Sequence, residues 1–120
     1  MNIDWTQLIT RQMKEAAAAA TLLASMKADL ASRNAAASFQ ISRIQDRIET
    51  LGYGIDAGEA TKADEAEQAA LAVTAKAWKA YKFALGKVTA QATWPGAPVW
   101  PAEPVAPLIA ADPQLVASET

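Results

Sequence analysis

Three features of this sequence predict an all-α fold: a long antiparallel helical hairpin of two to three helices, followed by an extended proline-rich C-terminal tail. No proline or glycine interrupts the chain up to Leu51. Apolar residues recur at steps of three and four through two long segments, the signature of one-sided helices. All six prolines fall in the last 26 residues, where a helix is untenable. The chain therefore divides into a helical part, 1–92, and a tail, 93–120.

At 120 residues the chain holds one domain at most. Hydrophobic residues make up 52%, but alanine supplies much of that figure. Alanine favours helix and buries little area, so the composition favours long helices that pack shallowly or rely on a partner. A net charge of −2 offers no basic stripe for nucleic acid and no polybasic membrane signal. Without cysteine there is no disulfide or thiolate site, and without histidine the commonest general base and metal ligand are missing. The apolar run Ala16–Ala20 is too short to span a bilayer and lacks the plan of a signal peptide. A cytoplasmic location is the expectation.

The first helix has two candidate starts, Asp4 with Gln7 three residues on, and Thr10. A seven-residue pattern then runs through Ile9, Ala16, Leu23, Leu30, Ala37, Ile44 and Leu51. Its complement is Met13, Ala20, Lys27, Asn34, Ile41 and Ile48. The clean stretch is Ile41, Ile44, Ile48 and Leu51, a seam suited either to the core or to oligomerisation. Lys27 and Asn34 dilute the middle. Ser32-Arg33-Asn34 is either a break between two helices or a site where a polar seam residue fixes register. Gly52-Tyr53-Gly54 is the expected stop.

Thr61 with Asp64 marks the next start, and Asp64, Glu65 and Glu67 complement the positive end of the helix dipole. That placement accounts for the acidic cluster without a metal. Leu71, Thr74, Trp78, Tyr81, Leu85 and Val88 give a second stripe, predicting a helix over about 61–90. Beyond Gln91, Pro95, Pro98, Pro101, Pro104 and Pro107 stand three apart, which puts them on one edge of a polyproline-like segment. Residues 108–120 read as disordered.

Asp56 and Glu59 fit no calcium loop, and no serine sits in a nucleophile motif. The reading is therefore non-enzymatic, with no cofactor and no metal. Three of the four tryptophans lie within 23 residues, Trp78 to Trp100, a density that signals packing or partner contact. Trp78, Tyr81 and Leu85 share a face and serve as core, as partner surface, or as both. Trp94-Pro95 and Trp100-Pro101 either fold back over the hairpin or offer anchors to a partner groove.

The stretch AWKAYKFALGKV, then WPGAPVWPAEP after a short gap, resembles the C-terminal region of bacteriophage tail fibre assembly proteins. Trp78 and Tyr81 match that family's Trp-x-x-Tyr helix, and Trp100-Pro101 matches its closing segment. The opening IDWTQLIT also resembles the start of small phage tail proteins of this type. The resemblance implies a fibre-specific chaperone that helps a fibre trimer form, working in the bacterial host cytoplasm and in some systems retained on the virion tail. Many relatives carry a β-rich N-terminal domain, for which this chain shows no strand pattern.

The expected partner is thus a phage tail fibre protein, met by Trp78, Tyr81, Leu85, Trp94, Pro95, Trp100 and Pro101, with no nucleic acid and no membrane. The mechanism expected is masking of apolar fibre surface. The alternative is a homo-oligomeric coiled-coil component of a phage-like tail, self-associated through Ile41, Ile44, Ile48 and Leu51.

Overall fold

The computed structural model describes residues 4–109 and is a long helical hairpin with the tail laid against it. Helix α1 runs unbroken from Trp5 to Asp56 and helix α2 from Lys62 to Leu85, followed by a single 3₁₀ turn, Val88–Ala90. The described residues extend 88 × 33 × 16 Å, of which the 52 residues of α1 supply about 78 Å at ~1.5 Å each.

Asp4 is the cap of α1, its carboxylate accepting the Gln7 N–H at 3.1 Å. Thr10 lies inside the helix and donates to the Thr6 carbonyl. No break occurs at Ser32–Asn34. Lys82 of α2 donates to both Asn34 and Ser38, at 2.9 and 2.8 Å, so the polar seam residue is satisfied by the hairpin itself.

The expected stop at Gly52-Tyr53-Gly54 is corrected. The helix passes through both glycines, although each costs about 1 kcal/mol against alanine by propensity. Packing against α2 offsets this: Leu51 is buried, and a side chain at Gly52 would stand 3.5 Å from the Gln68 amide nitrogen. Gln68 in turn donates to the Ile48 carbonyl. The left-handed residue that turns the chain is Gly58, at φ 73°. Glu59 and Ala60 N–H groups close on the Gly54 carbonyl, which satisfies the frayed end.

Thr61 and Asp64 form a reciprocal capping box at the start of α2. From there α2 runs antiparallel to α1. Its beginning is tied to α1 by Arg47, which grips Glu67 through two hydrogen bonds of 2.7 and 3.2 Å. That carboxylate is the first cause holding the Arg47 guanidinium above its usual pKa.

The core lies between the helices. Ala37, Ile44 and Leu51 of α1 face Leu71, Ala75, Trp78, Tyr81 and Leu85 of α2, with Leu30, Ile41 and Ile48 half-buried at the edge. α2 ends at Leu85 and the 3₁₀ turn Val88–Ala90 follows it, in place of the continuous helix expected to about residue 90. Of the two fates expected for the tail, folding back over the hairpin is the one seen, because Trp100 and Ile109 join the same core. Ile109 falls in the stretch expected to be disordered; the rest of that expectation, from residue 110 on, lies outside the described residues.

Candidate interaction surface

The residues singled out as partner-binding fall into two groups. Trp78, Tyr81 and Leu85 are buried, Trp78 at 1% exposure, and so act as core. Trp78 and Tyr81 meet edge to face with centroids 5.6 Å apart, the arrangement their ring quadrupoles favour. The Trp78 indole N–H reaches out of the core to donate to the Val105 carbonyl at 3.3 Å. Burial against α1 removes these three from the accessible surface. The seam Ile41, Ile44, Ile48 and Leu51 faces α2 within the chain, with Ile44 and Leu51 buried and Ile41 and Ile48 half-buried.

Trp94, Pro95, Trp100 and Pro101 are half-buried. They belong to a strap that returns over the hairpin. Gln91 starts it by imitating a paired strand: its amide donates to the Val99 carbonyl and accepts the Val99 N–H, both at 2.7 Å. The loop so closed contains the cis Trp94-Pro95 peptide. Trp94 meets Trp100 edge to face at 6.3 Å, and the Arg33 guanidinium lies 4.4 Å from the Trp100 ring centre. Asp29 holds Arg33 from one turn earlier at 3.1 Å. This cation–π contact fixes the strap to α1 midway along its length.

Arg43 fixes the strap further on. It is the one charged side chain buried among the described residues, at 3% exposure, and it donates to the Pro107 carbonyl and to Gln40. A buried guanidinium is tolerated where carbonyl acceptors satisfy it. Sequence periodicity missed Arg43, because its acceptor lies 64 residues away and an arginine beside an apolar seam reads as solvated.

Between these fixings the strap has a regular pattern. Pro98, Pro101, Pro104 and Pro107 are half-buried, and the residues one step beyond each of them, Val99, Ala102, Val105 and Leu108, face solvent. Val99, Val105 and Leu108 are 70%, 85% and 97% exposed. A segment with three residues per turn separates its residues in this way. The prolines anchor it and an apolar row is displayed outward.

The hairpin also carries shallow grooves: one of about 450 Å³ is lined by Ile41 and polar residues of α1 with Lys82, and one of about 350 Å³ opens between Leu30 and the end of α2. Among the described residues no group of His, Cys, Asp and Glu is placed to hold a metal, and no helix is long and apolar enough to cross a membrane. No family model, curated protein or solved structure matches the chain.

Proposed function

We propose that this chain is a non-enzymatic assembly chaperone or bound accessory of a phage tail fibre, and that the outer row of the strap is what it presents to the fibre. The observation that carries the reading is the display of Val99, Val105 and Leu108 on a backbone held by prolines, Arg33 and Arg43. A stiff, pre-ordered apolar row loses little conformational entropy on binding, which suits transient cover of apolar fibre surface. The Trp-x-x-Tyr and Trp-Pro motifs support the tail fibre assignment, with a revised division of labour. Trp78 and Tyr81 support the strap from beneath, while Trp94 and Trp100 brace it.

Co-expression with the fibre protein encoded beside it tests this reading. The expected result is soluble trimeric fibre only when the chain is present, with loss of that effect in a V99D/V105D/L108D triple variant. These side chains leave the core untouched, so the variant should keep wild-type stability within about 0.5 kcal/mol. A fibre that folds equally well with the triple variant contradicts the proposal.

A second reading, a coiled-coil structural component of a phage-like tail, draws its support from the bare N-terminal half of α1. Its seam would lie there and not at Ile41–Leu51.

A further inference from the structure

The first buried side chain of the described residues is Ala37, although α1 begins 32 residues earlier. Up to Met26 only Leu8, Leu23 and Met26 are even half-buried, and Trp5, Ile9 and Met13 are exposed. Yet the seven-residue seam that receives α2 further along continues without a shift of phase through this bare part. Its positions are Ile9, Met13, Ala16, Ala20, Leu23, Lys27 and Leu30. An established interface therefore runs on past the point where its occupant ends.

We infer that this open seam is covered by the same segment of a second copy, running antiparallel, in a two-fold symmetric dimer. Three observations select this occupant. The first is register. Pairing residues whose numbers sum to 36 sets Met13 against Leu23, Ala16 against Ala20 and Ile9 against Lys27, each pair occurring twice. A parallel pair would instead set Lys27 against Lys27. In the antiparallel pair the Lys27 stem lies on Ile9 while its ammonium leaves at the edge.

The second is charge. The positions flanking the seam, Thr10, Gln12, Ala17, Ala19, Ala24 and Met26, carry none. Arg11, Lys14, Glu15 and Asp29 all fall on the opposite side by helical spacing. Small uncharged flanks permit close approach without repulsion.

The third is length. In this register the Trp5–Ile9 turn of the second copy arrives level with Lys27–Ala31. There the groove of about 350 Å³ lined by Lys27, Leu30, Ala31, Asn34, Leu85 and Gly86 opens at the end of α2. Each copy's bare segment is just long enough to fill the other's open seam up to that groove. Both exposed Trp5 rings then gain a neighbour.

The inference does not depend on the fibre reading and is tested without any fibre. Light scattering on the purified full chain should give twice 12.7 kDa, falling to 12.7 kDa on dilution. The variants M13E and L23E should remain monomeric while their hairpin unfolds at the wild-type denaturant concentration. Since the chain has no cysteine, single substitutions report the geometry under mild oxidation. Near the two-fold axis, A19C should cross-link to itself, whereas I9C, displaced from its own copy in the antiparallel pair, should not. A 12.7 kDa species at every concentration, a dimer indifferent to M13E and L23E, or self-cross-linking of I9C in place of A19C would each overturn it.

Discussion

Between Asn34 and Asp56, α1 is covered by α2 on its seam and by the strap alongside; between Trp5 and Met26 the same helix carries neither. Both stretches follow one seven-residue pattern, so periodicity does not distinguish them. What differs is the size of the seam residues. The covered stretch offers Ile41, Ile44, Ile48 and Leu51, and it adds Arg43 and Arg47 as links to the strap and to α2. The bare stretch offers Ala16 and Ala20 at its centre and relies on alanine's propensity to stay helical. One half is held by tertiary packing and the other by local preference, which is weaker per residue.

Breaking the covered half should have the largest effect. Trp78→Ala removes a fully buried ring together with its bond to the strap, and should destabilise the hairpin by about 3–5 kcal/mol in denaturant titration. Arg43→Leu keeps apolar volume but leaves the Pro107 carbonyl without its donor. A loss of about 2 kcal/mol is expected, with faster hydrogen exchange and protease cleavage in the strap.

Thr61→Ala removes the hydroxyl that caps α2 and should cost about 1 kcal/mol, read as a lowered denaturation midpoint. The same box gives a pH dependence. The Thr61 backbone N–H first, and then its hydroxyl, hold the Asp64 carboxyl below the usual range. A group depressed in the folded state stabilises fully above its ordinary pKa, and that contribution is lost as pH falls through the depressed value. Acid titration of Asp64→Asn, which removes the titrating carboxyl, should therefore show a flatter loss of stability than wild type, whereas parallel curves would remove this account of the box.

The smallest global effect belongs to the bare half. Ala18→Gly, on the face away from the seam, should weaken helix locally by about 1 kcal/mol while the hairpin's unfolding midpoint stays put. A shifted midpoint would mean that the two halves unfold as one unit.

Much of this architecture is legible in the sequence because its causes are local. The Asp4 and Thr61 caps, the seam from Ile41 to Leu51, the stripe from Leu71 to Val88 and the three-residue spacing of the prolines all follow from neighbours a few positions away. The features that are not legible depend on distant partners. Passage of α1 through Gly52 and Gly54 relies on Leu51 packing onto α2 and on Gln68 reaching across from that opposite helix. Asn34 reads as a break or a register device until Lys82 is placed beside it. The fate of the Trp-Pro tail turns on Arg33 and Arg43, whose side chains show no pattern in the chain. Aromatic density marked residues 78–100 as important but did not separate Trp78 and Tyr81, which are core, from the strap residues above them.

Hydrogen exchange along α1, followed as a function of protein concentration, tests the two-halves account most directly. Amides from Ala37 to Leu51 should be strongly protected at every concentration, since α2 and the strap hold them within one chain. Those from Ile9 to Met26 should exchange fast in dilute solution and gain protection as concentration rises and copies pair. Equal protection along the whole helix, unchanged by dilution, would contradict it.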